Sequence, residues 1–182
     1  FSQILVSSFF YFSGYKLDQI GFLYFSLELS PVFSYCITVF FVVFLINICN
    51  FMDGIDGYIG SILAVFFLFF SGLYFFLEYQ EVSLILLALG FSIFGFLVFN
   101  FHKASIFMGD VGSAVLGAMT SLACLHFFSL SKISGAFNFF PFIVLGVLVL
   151  DSTITLLFRI INKEKIWKPH KKHFYQKLHQ IG

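Results

Sequence analysis

The chain has 182 residues, 60% of them hydrophobic and 10% charged, with a formal net charge of +1 and a mean hydropathy of +1.00. That balance excludes a soluble globular domain. A polytopic membrane protein remains.

A membrane-crossing helix needs roughly 20 predominantly apolar residues. The apolar runs predict a partial span over residues 1–14 and five complete spans over 32–51, 58–77, 82–101, 114–131 and 138–158. Each is helical, because lipid leaves an open segment no other way to satisfy its backbone amides. A barrel is excluded despite 31 phenylalanines, since the runs are continuously apolar and do not alternate. The predicted fold is therefore an all-α bundle over 1–158, followed by a basic tail over 159–182.

The first run opens on Phe1 with no initiator Met and no basic n-region, in what reads as the middle of a helix. The chain is thus expected to be an N-terminally incomplete piece of a longer protein. The second run ends in Asn47-Ile-Cys-Asn50-Phe-Met-Asp53-Gly54-Ile-Asp56-Gly57. Asn50, Asp53 and Asp56 are spaced i, i+3, i+6, which on a helical turn places them on nearly one face, with Gly54 and Gly57 allowing close backbone approach. One such residue before a new span often does no more than cap it. Two carboxylates and two asparagines within ten residues favour chemistry.

The fourth run ends in a second polar mouth, Asn100-Phe-His102-Lys103-Ala-Ser-Ile-Phe107-Met-Gly109-Asp110-Val-Gly112-Ser113. Asp110 begins the next helix, whose N-terminal amides favour anionic groups, and a simple cap is again the alternative. Two acidic loops, 51–57 and 102–113, on one membrane face point to a divalent cation and phosphate site, because Mg²⁺ is held by one or two carboxylates plus substrate phosphates. Asp151 lies inside the last run, where a carboxylate faces a bundle interior or a polar cavity, and a structural hydrogen bond or a catalytic role fits it equally. In the tail, His170 and His173 lie three apart among Lys168, Lys171, Lys172 and Lys177, a pattern suited to gripping a diphosphate. Lys163 and Lys165 read as headgroup contacts. His126 and His179 lack comparable context.

Sidedness follows from charge. Seven of the ten Lys and Arg residues follow the last span and Lys103 follows the fourth, so the positive-inside rule puts the tail and both acidic loops in the cytoplasm. Loops 15–31, 78–81 and 132–137 then lie outside, with Lys16 and Lys132. Cys36, Cys49 and Cys124 all fall in apolar runs, are odd in number and lack metal-ligand spacing, so no disulfide framework is expected.

Taken together, Asn47-x-x-Asn50-x-x-Asp53-Gly-Ile-Asp56-Gly, Asn100 ten residues before the Asp of Phe107-Met-Gly-Asp110-Val-Gly-Ser113, and His170-x-x-His173-Phe-Tyr-Gln resemble the polyprenyl-phosphate N-acetylhexosamine-1-phosphate transferases, glycosyltransferase family 4. The resemblance covers about residues 1–178. It implies a Mg²⁺-dependent transfer (with Mn²⁺ as a substitute) of a sugar 1-phosphate from a UDP-sugar to undecaprenyl phosphate. It further implies release of UMP at the cytoplasmic face of a bacterial inner membrane, as the start of cell-envelope polysaccharide synthesis of the O-antigen type. By the same resemblance Asp110 is the principal metal ligand with Asn50 beside it, and Asp53 is an essential polar member of the catalytic site. Asp56, Asn100 and Phe107 contact the uracil nucleoside, Phe107 by stacking. His170, Lys172 and His173 belong to a basic loop that binds the donor's phosphates, and Asn47 lines the substrate side.

The chain departs from the family in lacking a paired-aspartate motif, expected upstream of Phe1, and in reading His-Lys-Lys-His where the peptidoglycan branch has three adjacent histidines. Expected partners are the UDP-sugar, undecaprenyl phosphate and membrane lipid, with a second copy of the chain as a candidate and no nucleic acid. The alternatives are a phospho-MurNAc-pentapeptide transferase and, from another class, an ion-coupled secondary transporter. The transporter fits less well, because it needs polarity reaching both faces.

Overall fold

The structure is a computed structural model and describes residues 1–22, 25–54, 56–101, 103–130, 140–146, 148–150 and 153. Five helices and a hairpin account for most of them: α1 (Ser2–Phe12), β1 (Gln19–Phe22), β2 (Phe25–Glu28), α2 (Pro31–Met52), α3 (Tyr58–Phe76), α4 (Gln80–Asn100) and α5 (Gly109–Ser129). A short α6 (Phe140–Val144) follows. Among the described residues four helices, α2 to α5, are long and apolar enough to cross a membrane, with mean hydropathies of 1.6 to 2.6. Of the expected last span over 138–158, residues 140–146, 148–150 and 153 are described, while Asp151 and the whole tail from 159 lie outside the described residues.

The helices form where apolar length and local signals agree. α2 starts at Pro31, whose fixed φ suits the first helical position and whose missing N–H would have had no partner there. Its buried residues Ser34, Thr38, Phe41, Val42, Leu45, Cys49 and Met52 recur every three or four positions, which makes one packing stripe. α4 is apolar on every side, and Leu84, Ile85, Phe91, Phe94, Val98 and Phe99 are exposed on it. Such a surface suits lipid rather than water.

α3 and α4 form one antiparallel pair, α2 packs along α5, α1 packs on α2, and α3 touches α5. Because lipid is as apolar as a leucine, helix association in a bilayer depends on close packing and polar stitches. Both are present. Phe66 stacks on Phe70 with ring centroids 4.5 Å apart, and Phe70 meets Phe127 of α5 edge-on at 5.5 Å. Tyr74 donates to the Ala123 carbonyl at 3.0 Å and also lies 2.9 Å from Nδ1 of His126, tying α3 to α5. Ser71 and Ser83 exchange hydroxyl-to-carbonyl bonds of 2.8 Å across the α3–α4 pair.

The structure differs from the sequence expectation in two places. The stretch expected as a plain outer loop holds the β1–β2 hairpin, antiparallel with Gln19 opposite Glu28. Just before it, the chain docks on the buried polar residues of α2: the Leu17 amide donates to Thr38 Oγ1 at 3.0 Å, and Ser34 donates to Asp18 at 2.9 Å. The architecture remains a helical bundle. Secondly, the helix expected from residue 114 begins at Gly109. The stretch before residue 114, which apolar length alone left out, is helical, and Asp110 lies in the first turn of α5.

Candidate active site

The two polar mouths come together at one end of the bundle. α2 ends at Met52, Asp53 is its C-cap, and the chain turns through Asp56 to Gly57, which precedes α3 with φ of +71°. A side chain at Gly57 would strain the backbone and would place a Cβ 2.7 Å from the Phe101 ring, so a glycine is required at this close approach. Asn100, the last residue of α4, is buried and bonded at both ends of its amide. Its Oδ1 accepts from the Gly57 amide at 2.8 Å, and its Nδ2 donates to the Ile106 carbonyl at 2.8 Å. Asp56 adds a second link, accepting from the Ala104 amide at 2.9 Å. The loop after α2 and the loop after α4 are thereby fastened into one surface.

Across that surface, Asn50 on α2 meets the first turn of α5. Its Nδ2 donates to Ser113 Oγ at 3.0 Å and to Asp110 Oδ1 at 3.3 Å. The approach depends on Gly117. A Cβ there would lie 2.8 Å from the Ile46 Cα and 3.2 Å from the Leu45 carbonyl oxygen, so α2 and α5 cross backbone to backbone. Ser113, Gly117 and Ser121 repeat every four residues and are buried, a small-residue ridge of the kind that lets membrane helices close up.

Asp53 faces the same turn. Burial raises its carboxyl above the usual carboxylate range, the Gly109 amide acts in the opposite direction, and the negative charge of Asp110 raises it further. Two carboxylates thus share one small region. The ion pair formed among the described residues, Lys16 with Asp18 at 3.0 Å, involves neither of them. Asp110 does not cap α5: the N-cap is Met108, and no side chain caps that end.

This arrangement corrects the one-face reading of Asn50, Asp53 and Asp56. The helix stops at Met52, so Asp53 turns to α5 while Asp56 turns to the loop after α4. Phe107 stands on that loop and is 75% exposed. Asn47, also exposed, pairs its amide with Gln3 of α1 at 3.0 and 3.3 Å and bonds the Val43 carbonyl at 2.7 Å, one turn away from the carboxylates. His102, His170, Lys172 and His173 lie outside the described residues. Sequence reasoning missed Ser113 and Gly117. The signal was available in the four-residue spacing of small residues from Ser113 to Ser121.

The donor set fits a hard divalent cation. Among the described residues no group of three His, Cys, Asp or Glu side chains gathers, so an all-protein cage is absent there. Two carboxylates and an amide oxygen at a helix N-terminus match an ion that completes its shell with phosphate oxygens and water. Between α2, α5 and α6, deeper in the apolar layer, lies a cavity of about 150 Å³ lined by side chains including Phe40, Phe44, Cys124, Phe142 and Leu145.

The sequence profile described as glycosyl transferase family 4 matches residues 1–128. A Bacillus subtilis protein named "Probable undecaprenyl-phosphate N-acetylglucosaminyl 1-phosphate transferase" is 41% identical over 103 residues, 56% of this chain and 27% of that protein. A "Decaprenyl-phosphate N-acetylglucosaminephosphotransferase" of Mycobacterium tuberculosis is 33% identical over 57% of this chain and 28% of its own length. A "Phospho-N-acetylmuramoyl-pentapeptide-transferase" of Halalkalibacterium halodurans is 29% identical over 56% and 30% respectively. The chain thus matches between a quarter and a third of the length of these relatives.

Proposed function

The chain belongs to glycosyl transferase family 4, and from that premise we propose that it supplies the metal-binding and nucleoside-binding part of an enzyme moving N-acetylglucosamine 1-phosphate from its UDP ester to undecaprenyl phosphate. The observation that carries the reading is the convergence of Asn50, Asp53 and Asp110 from two separate mouths onto one end of a membrane bundle. Coincident caps would not produce it, since Asp110 caps nothing. The choice of sugar is supported by the names of the Bacillus and Mycobacterium relatives.

In the reaction an oxygen of the lipid phosphate attacks the sugar-bearing phosphorus, a new P–O–P link forms, and the bond to the bridging oxygen breaks, with UMP carrying away that electron pair. Both partners are anions, so the barrier falls when their charge is offset and their oxygens are aligned. Asp110 and Asp53 would hold Mg²⁺, with the Asn50 carbonyl oxygen as a third ligand. The ion supplies charge neutralisation and alignment of the phosphate oxygens. The first-turn amides of α5 add a fixed positive potential beside the phosphates.

Phe107 offers an exposed ring for stacking on uracil, and Asp56 stands beside it on the same fastened surface. Asn100, whose amide is committed to Gly57 and Ile106, acts by holding that surface in shape. The apolar cavity between α2, α5 and α6 would take a segment of the polyprenyl chain. His170, Lys172 and His173 would close on the donor's phosphates from the tail, and the site would face the cytoplasm.

UMP release from UDP-N-acetylglucosamine with undecaprenyl phosphate, by the whole enzyme of which this chain supplies a part and followed across a Mg²⁺ titration, tests the reading. Asp110→Asn keeps the shape and removes the charge, so kcat is expected to fall by roughly a hundredfold or more, the scale of one lost preorganised contact. A kcat near wild type with unchanged Mg²⁺ dependence would sink the metal assignment.

A further inference from the structure

An asparagine can bind a cation only through its carbonyl oxygen, and its amide group looks nearly the same after a half-turn that presents NH₂ instead. At Asn50 the choice is forced by its neighbours. A carboxylate oxygen accepts and never donates, so the atom 3.3 Å from Asp110 Oδ1 is the amide nitrogen. Ser113 Oγ, 3.0 Å from the same nitrogen, spends its own proton on the Gly109 carbonyl at 3.0 Å and the Asp110 carbonyl at 3.3 Å. Its lone pairs are therefore aimed at the amide. Both N–H groups of Asn50 are engaged, and among the described residues no donor is bonded to its Oδ1.

We propose that Ser113 is a positioning residue for the metal site: it fixes the amide of Asn50 so that oxygen, and not NH₂, faces the cation. The inference rests on the reading of Asn50 and Asp110 as metal ligands. Asp110 holds the amide less firmly than Ser113 does, its bond to the same nitrogen being the longer of the two, 3.3 Å against 3.0 Å. Ser113 carries no negative charge to turn toward a cation, so its bond to the amide does not compete with metal binding. It is fully buried, so water does not replace its hydroxyl when it is removed. The geometry is rigid because Gly117, one turn further along α5, holds α2 and α5 backbone to backbone.

The test uses Mn²⁺ alone as the probe, with free Mn²⁺ counted by electron paramagnetic resonance against purified protein in lipid nanodiscs, so that turnover is not required. Ser113→Ala is expected to weaken Mn²⁺ binding by about tenfold, the lower end of what losing an outer-shell partner costs. Asn50→Ala should weaken it at least as much, and the double variant should bind like Asn50→Ala, because Ser113 acts through that side chain. Ser121→Ala, on the same ridge but remote from Asn50, should bind like wild type and serves as the packing reference. Thermal unfolding of each variant guards against a folding defect. Wild-type affinity in Ser113→Ala, or full additivity with Asn50→Ala, overturns the proposal. If Asp110→Asn weakens Mn²⁺ and Ser113→Ala does not, this inference alone fails. If neither variant weakens it, the metal reading fails and this inference with it.

Discussion

Asp53 sits where a carboxylate is costly. Burial raises its affinity for a proton, Asp110 raises it again, and the amide of Gly109 offsets only part of this. Between the ordinary carboxylate range and the raised value, the folded chain binds more protons at Asp53 than the unfolded chain, so stability falls as pH rises through that window. Above it the penalty is fully present; below about pH 4, where both states are protonated, it is gone. Without divalent cations Asp53→Asn is therefore expected to melt higher than wild type at neutral pH, and the gap should close as pH falls through the window. Added Mg²⁺ should reverse the order, since it stabilises only the charged pair. Melting temperatures across pH, with and without Mg²⁺, check this; a variant less stable than wild type in metal-free neutral buffer would count against the paired-carboxylate site. The presence of Asp53, Asp56 and Asp110 at a membrane mouth was legible in the residues alone. How they divide was not, because once α2 has stopped at Met52 the partners of Asp53 and Asp56, Gly109 and Ala104, come from loops far along the chain.

At the scale of elements, the site is made by a crossing of α2 and α5. Asn50 reaches Ser113 only because nothing but hydrogen stands on Gly117 where the Ile46 backbone passes. Gly117→Val adds three carbons at a point whose nearest neighbour is backbone, which cannot swing aside as a side chain would. Overpacking of this kind costs about 1–3 kcal/mol. The variant should melt lower and lose Mn²⁺ affinity together, although residue 117 lies about 10 Å along the helix from Asp110. Gly72→Val, on an open face of α3, should do neither. Loss of stability with unchanged Mn²⁺ binding would show that the crossing does not set the site. Helix existence was readable from apolar length, and α1 to α4 fall within a few residues of expectation. Partner choice was not readable: α2 against α5 and α3 against α4 are decided by small residues and buried hydroxyls whose complements lie far away in sequence.

The molecule as a whole is polar at both ends, in different ways. One end gathers Asn50, Asp53, Asp56, Asn100 and Asp110, joined by hydrogen bonds between the two mouths. The other end gathers Tyr15, Tyr74 and Tyr79 around His126, with ring centroids 5.3 to 5.9 Å from the imidazole. Those ring contacts, with the Tyr74 hydrogen bonds to Ala123 and His126, tie α3 to α5 and to the segment before β1. The parity of spans therefore has a physical counterpart: the loops after α2 and α4 lie together, and the loops after α1 and α3 lie at the far end with Tyr15 and Tyr79. If the carboxylate end faces the cytoplasm, single cysteines at Ser105 and Glu81, in a background with Cys36, Cys49 and Cys124 replaced, should react with a membrane-impermeant maleimide from opposite sides. Ser105→Cys should label only after the cells are opened, and Glu81→Cys in intact cells. The reverse pattern would invert the bundle and place the carboxylate end on the outer side. Labelling of both from one side would contradict the crossing of α4 itself, on which the meeting of the two mouths depends.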